Sequence, residues 1–263
     1  MPLYALKLEY DGGRFVGWQR QALGVSIQMV LEEAASRLVQ GRKVESIAAG
    51  RTDAGVHASG QVARLDLDRD MAPEKLGDAL NFHMKPHAVV VVQAALAPAG
   101  WNPRFAAIGR EYRYRILNRR ARPALVAGQV WHVLPPLDVG LMQRGAECLV
   151  GRHDFTSFRA TACQAKSPVR TLERLEVACA GDVVTVDVAA RSFLHHQVRN
   201  IVGTLKLVGE GAWAPERVAQ ALAARDRAAA GPTAPADGLV LVAVHYPQDP
   251  FGAAPQGAAP HRR

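Results

Sequence analysis

Cysteine is scarce. Cys148, Cys163 and Cys179 make an odd number in 263 residues, and no two of them form a Cys-x-x-Cys pair. That leaves neither a disulfide framework nor a zinc knuckle, and it fits a reducing compartment, so the chain is expected to be cytoplasmic. No run reaches the ~18 apolar residues that a membrane helix needs. The opening Met-Pro-Leu-Tyr-Ala-Leu-Lys passes straight into alternation, with no basic segment and apolar core, and a soluble chain without a targeting segment is the expectation. Also missing are a Gly-x-x-x-x-Gly-Lys-Ser/Thr run and a Gly-x-Gly-x-x-Gly after a strand. No ATP or dinucleotide cradle is legible, and any chemistry has to proceed without either. Acids are thin in two stretches: from Arg104 through Arg122 seven arginines face Glu111 alone, and Val188 to Gly209 holds no carboxylate.

The charge that is present is therefore concentrated. Formal net charge is +8, and arginine supplies 26 of the 32 cationic residues. A basic protein with no special partner is the plain reading of such a balance; the clustering favours a polyanion, because the planar guanidinium fork suits phosphate. With 49% hydrophobic and 21% charged residues the chain is globular, and its length allows one large or two modest domains burying roughly 70–75% of the unfolded surface.

Periodicity predicts an α+β protein. Residues 3–10 alternate as an edge or half-buried strand ended by Asp11-Gly-Gly13, and Ser26 caps a helix with Ile27, Val30, Leu31, Ala34 and Leu38 on one stripe. Strands at 44–48 and 61–67, a helix from Pro73 to 82 and a strand at 89–92 complete a first half with helices on one face of a sheet. The pattern restarts near 100–109, with strands at 110–117, 170–179, 183–190 and 239–246 and helices at 138–150, 192–208 (capped by Ser192) and 215–225. Two similar halves, 1–105 and 106–246, suggest a pseudo-duplicated protein with a cleft between them. From 247 to 263 Pro, Gly and Ala dominate, which predicts a disordered tail.

The strongest chemical signal is Asp53, the only carboxylate from Ala48 to Ala63. Glycines at 50, 55 and 60 let the backbone turn tightly and approach a bulky ligand. A glycine-rich hairpin tip with a turn-forming Asp is the plainer reading; Arg51, Thr52 and His57 on the same loop, held between two strands, favour a reactive group on a rigid support. In Arg110-Glu-Tyr-Arg-Tyr-Arg-Ile116, Tyr112, Tyr114 and Ile116 share one face and Glu111, Arg113 and Arg115 the other. Such a strand can stack a base while cations hold phosphate, or simply bury its tyrosines. His195 and His196 invite a metal, but adjacent residues of a helix point ~100° apart, so no metal site is expected. Arg199 follows one turn later. The loops 151–159 and 163–170 are basic and rich in hydroxyls.

Eight segments in order resemble the TruA family of tRNA pseudouridine synthases: Tyr10-Asp-Gly-Gly-Arg-Phe-Val-Gly-Trp-Gln-Arg-Gln21, Ser26-Ile-Gln28, Gly50-Arg-Thr-Asp-Ala-Gly-Val-His57, Arg110-Glu-Tyr-Arg-Tyr114, His153-Asp-Phe-Thr-Ser-Phe-Arg159, Cys163-Gln-Ala-Lys-Ser-Pro-Val-Arg-Thr171, Phe193-Leu-His-His-Gln-Val-Arg-Asn-Ile201 and Ala234-Pro-Ala-Asp-Gly-Leu239. Gln197 stands where the family usually has methionine, and Trp101-Asn-Pro-Arg-Phe105 varies a family segment. The resemblance implies two α+β halves sharing a continuous, mainly antiparallel sheet with the active cleft between them. It implies isomerisation of uridine to pseudouridine at tRNA positions 38 to 40, with neither metal nor organic cofactor, by a homodimer in which one tRNA contacts both subunits.

The same resemblance gives Asp53 the essential catalytic role and sets Arg199 against it, where a cation favours the ionised carboxylate. Arg51 is expected to aid flipping of the target base, Tyr112 to stack on the extruded uracil, and Leu239 to close the pocket as an apolar wall. Arg14, Arg20, Lys166 and Arg170 are candidate phosphate contacts, which position RNA without reading it. A non-catalytic RNA-binding protein is the rival reading. A nucleoside hydrolase is a second, and it would ordinarily want two carboxylates where the loop offers one.

Overall fold

A computed structural model describes residues 2–252. The elements run β1 (Leu3–Tyr10), α1 (Ile27–Leu38), β2 (Ser46–Ala48), β3 (His57–Asp66), α2 (Pro73–Met84), β4 (Val89–Leu96), α3 (Pro103–Ala106), β5 (Gly109–Asn118), β6 (Trp131–Val133), α4 (Val139–Glu147), β7 (Gly151–Asp154), β8 (Val169–Ala180), β9 (Val183–Ala190), α5 (Gln197–Gly209), α6 (Glu216–Ala224) and β10 (Leu239–His245). Ser26 caps α1 as its sequence predicts, its Oγ accepting from Met29 N at 3.2 Å. Pro73 opens α2, where a missing N–H costs nothing.

The strands form one ten-stranded sheet in the order β4-β1-β3-β10-β5-β9-β8-β7, with β2 added on β3 and β6 on β5. The fold is α+β. Neighbours along that path are antiparallel except β3 and β10, which run parallel through Val240 opposite His57 and Leu241 opposite Ala58. β1 is not an edge: β3 and β4 flank it, and Tyr4, Ala5, Leu6 and Leu8 have no exposed surface.

Alternation explains why the helices lie on one face. Leu6 is opposite Ala63, Leu241 opposite Tyr112, and Tyr114 opposite Val186, so one continuous apolar face crosses the whole sheet. The other face carries Arg113 and Asp187, paired at 2.7 Å. On the apolar face lie two buried clusters. One joins β1 and β3 to α1 and α2, and the other joins β5, β8 and β9 to α4, α5 and α6. In the second, Ile201, Val202, Leu205 and Val208 of α5 are almost fully buried, each contributing roughly 1.5–3 kcal/mol. Tyr112 packs against both clusters and so marks the line where they meet.

Two expected boundaries move. Residues 247–252 are ordered against the body, Gln93 Nε2 donating to Phe251 O at 3.1 Å; the rest of the expected disordered tail, 253–263, lies outside the described residues. Ser192 does not cap α5, which begins at Gln197 because His196 is left-handed, φ 61° and ψ 6°.

Candidate active site

Asp53 sits on the loop between β2 and β3, and the turn after β1 clamps that loop in place. Trp18 N donates to Thr52 O (3.0 Å) and Gly55 N to Phe15 O (3.4 Å). Gly12 N donates to His57 Nδ1 at 3.1 Å, and the Tyr10 hydroxyl pairs with Thr52 Oγ1 at 2.8 Å. Two of the three loop glycines are required. Gly55 has φ +78°, and a Cβ at Gly60 would lie 2.1 Å from the Val242 carbonyl oxygen of β10. At Gly50 a Cβ would meet open space, so the packing of the protein itself does not require a glycine there.

The left-handed turn at His196 delivers what a continuous helix could not. His195 and His196 stand outside α5 with their rings 4.1 Å apart, and both face the acid. His195 Nε2 is 3.3 Å from Asp53 Oδ1 and His196 Nε2 is 3.4 Å from Oδ2. The expectation that the two imidazoles point apart fails because it assumed helical geometry. Arg199, on the first turn of α5, brings Nη1 to 3.6 Å from Oδ2. Its Nε donates to Ala234 O at 2.8 Å, so the guanidinium is held by the loop that leads into β10.

Asp53, His195 and His196 offer ligand atoms within 4.8 Å of one another and are, among the described residues, the group that could hold a metal ion. The fixed positive charge of Arg199 opposes a cation there, whereas a proton or a hydrogen-bonding substrate meets no such conflict. Burial lowers the His196 pKa below its ordinary value, outweighing the opposite pull of Asp53. Its imidazole is therefore the neutral form at physiological pH.

Tyr112 is partly buried, with the Phe193 ring edge-on at 5.2 Å. Burial, then the charges of Tyr10 and Asp53, push its pKa well above the ordinary phenol value, so it keeps its proton throughout the neutral range. Tyr10 rises to about 12 for the same main reason. Both tyrosines are thus hydroxyl partners or stacking surfaces rather than ready bases.

The other expected residues are distributed unevenly. Arg51 is exposed beside Asp53, and its side chain makes no hydrogen bond among the described residues; Arg14 and Lys166 are likewise exposed. Leu239 is only 5% exposed and belongs to the second core with Val56. Arg20 is turned onto Glu32 (3.4 Å) and Glu33 (3.7 Å), and must release two carboxylates before it can hold a phosphate. Arg170 Nη1 donates to Ser167 O and Val169 O. Arg110, in the cluster of seven, is structural: it donates to four backbone carbonyls, those of Ala49, Arg104, Ala107 and Arg191. Sequence reasoning missed His195 and His196 as partners of Asp53, and Phe193, Tyr10 and Thr52 as its setting. The acid-free stretch around Arg199 was the available signal, because cations so collected need a carboxylate from elsewhere.

Comparison with known proteins gives a consistent result. Residues 8–106 and 146–247 match the profile of a family described as tRNA pseudouridine synthase. A protein of Acidiphilium cryptum named tRNA pseudouridine synthase A is 66% identical over 252 residues, covering 95% of this chain and 99% of its own length. Proteins of the same name from Gluconobacter oxydans (54% identical, 94% of this chain and 91% of its own) and Rhodospirillum centenum (56%, 94% and 100%) are similar over their whole length. Among solved structures, a chain of a Cbf5-Nop10-Gar1 complex aligns with 78% of this chain and 45% of its own at 12% identity and TM-score 0.36, too loose a likeness to argue from.

Proposed function

The chain belongs to the tRNA pseudouridine synthase family, and from that premise we propose that it isomerises uridine to pseudouridine at positions 38, 39 and 40 of the tRNA anticodon stem-loop, with Asp53 as the essential carboxylate. The observation that carries the reading is the placement of Asp53: a partly exposed acid between two histidines and Arg199, close enough to Tyr112 for its charge to raise that phenol's pKa.

The reaction breaks the N1–C1′ bond, turns the uracil, joins C5 to C1′ and releases the C5 proton, while the freed N1 takes up a proton from water. Nothing is oxidised or consumed. Positive charge develops at C1′ as the glycosidic bond loosens, and a carboxylate beside it stabilises that charge. Attack on C1′, attack on C6 and removal of a ribose proton all require the ionised form, and Arg199 Nη1 stands 3.6 Å from Oδ2. A stem uridine has to be extruded at a cost of a few kcal/mol. Stacking on Tyr112, worth ~1–3 kcal/mol, offsets it, and Arg51 at the exposed end of the loop is suited to fill the vacated space. Leu239 backs the pocket as part of the core beneath it. We further propose that residues 1–105 and 106–246 form the two halves, and that the protein works in the cytoplasm as a homodimer on tRNA.

The test is release of tritium to water from tRNA labelled at uridine C5. Wild-type protein is expected to release label in proportion to pseudouridine formed, and Asp53→Asn to bind tRNA with little change and release none. Binding without release by the wild type would favour the non-catalytic reading, and free uracil among the products the hydrolase.

A further inference from the structure

A second basic feature borders the site. Between β7, the start of β8 and the turn leaving β9 lies a groove of about 320 Å³ lined by Arg152, Ser167, Arg170, Thr171, Arg191 and Ser192, with no carboxylate in its wall. Another groove, about 390 Å³, sets Arg20, Lys43 and Arg64 against Glu32, Glu45 and Asp66 and is compensated internally. Of these two, the first has unspent positive charge. Arg152 and Arg191 are exposed, and among the described residues their side chains enter no hydrogen bond or ion pair. Arg170 is fixed by its bonds to Ser167 O and Val169 O, yet its buried Nε has no partner.

The groove is mechanically joined to the catalytic turn. Arg191 and Ser192 directly precede Phe193, whose ring meets Tyr112, and His195, whose Nε2 meets Asp53. On the opposite wall, Ala160 N donates to His195 O at 2.9 Å, tying the loop that carries Ser167 to the same turn. An anion in the groove would thus lie against the segment that carries Phe193 to Tyr112 and His195 to Asp53.

We propose that this groove holds a backbone phosphodiester of the RNA next to the uridine that enters the Asp53 site, gripped by Arg152 and Arg191 and hydrogen-bonded by Ser192 and Thr171. The proposal rests on the reading of RNA as substrate and adds the place where its backbone is fixed. A phosphate so held anchors the strand while the neighbouring nucleotide swings out, which is positioning without sequence readout. Exposed, unpaired arginines are suited to it, because neither has to break an ion pair on binding and each phosphate neutralised releases counterions.

The full-length protein and an unmodified tRNA transcript test it. Arg152→Ala and Arg191→Ala, made in the Asp53→Asn background so that binding is read without turnover, are each expected to weaken tRNA affinity about fivefold to tenfold and to reduce the slope of log affinity against log salt by about one, the double variant by about two. In the active background the same changes are expected to raise KM while leaving kcat at saturating tRNA within about twofold. A double variant with wild-type affinity and salt slope overturns the proposal, and so does a fall in kcat at unchanged KM. The two readings fail separately: wild-type protein that makes no pseudouridine defeats the proposed activity, whereas the salt slopes judge the groove whether or not turnover occurs.

Discussion

Asp53 is surrounded by groups of different protonic character: Arg199 always charged, His196 made harder to protonate by burial, and Tyr112 locked as a phenol. The sign of the His196 effect sets a pH dependence. The unfolded imidazole takes its proton near pH 6.5 and the folded one at lower pH, so the unfolded state binds more protons in between. Stability is fully present above about pH 6.5 and falls as pH drops through the folded pKa. At and below the folded pKa the imidazolium that forms 3.4 Å from Oδ2 competes for the carboxylate, and turnover is expected to decline. His196→Asn, chosen because Asn tolerates the left-handed conformation, is expected to flatten both the acid limb of kcat/KM and the loss of urea midpoint between pH 7.5 and 5; unchanged profiles would remove His196 from this role. A second test concerns Tyr10, whose hydroxyl partners the Thr52 hydroxyl, a side chain in a residue only 6% exposed. Tyr10→Phe strands that hydroxyl, with an expected loss of about 1–3 kcal/mol in denaturant titration. Adding Thr52→Val removes the stranded group and should recover most of the loss; no recovery means the pair does not hold the loop. At this scale Asp53 and Arg199 were readable from sequence because their charges stand out against small or acid-free surroundings. The histidines were not, because their direction depends on one backbone angle that a His-His pair does not announce.

The elements that hold the site differ in how far local pattern specifies them. α1 is fully specified, by Ser26 as cap and an apolar stripe at helical spacing, and so is the alternation of β5. The start of α5 is not: Ser192 and the apolar residues after it read as a helix, while one local bond and one tertiary bond hold a turn. There Gln197 Oε1 accepts from Leu194 N at 2.8 Å and Ala160 N from the loop opposite donates to His195 O. The same limit applies to the β1–α1 connection, whose function as a clamp on the Asp53 loop depends on Gly17. This residue has φ +102°, and a Cβ there would lie 2.8 Å from Thr52 O and 3.1 Å from Asp53 C. Gly17→Ala therefore has two costs, an unfavourable backbone conformation and a push against the backbone of Asp53. Since small misplacements of a reacting group can cost about 100-fold in rate, kcat is expected to fall by at least tenfold if Asp53 is that group, with tRNA affinity little changed. Wild-type tritium release from a folded Gly17→Ala protein would mean that the clamp does not set the position of Asp53.

Across the whole molecule, strand order is the property least available to sequence. Alternation reveals which face of each strand is buried but not which strand is its neighbour. Nothing in residues 239–246 predicts that β10 inserts between β3 and β5 and makes one sheet of two. That insertion is what assembles the site, because Asp53 comes from the β2–β3 side and Tyr112, His195, His196 and Arg199 from the other. The parallel joint between β3 and β10 is short, with only two paired positions, and Gly60 lies against β10 where a Cβ would meet Val242 O at 2.1 Å. Gly60→Ala should therefore force the two strands apart. Overpacking of this kind costs typically 1–3 kcal/mol, and here the displaced parts are the two sides of the candidate site. The informative control is a substitution of similar cost confined to one core: Val218→Ala on α6, where the side chain is fully buried and remote from the joint. If the joint sets the register of Asp53 against Arg199 and Tyr112, Gly60→Ala loses tritium release well below its melting temperature, while Val218→Ala retains the wild-type kcat despite a comparable fall in stability. Equal retention by both variants would show that the two sides of the site keep their spacing without close packing at Gly60.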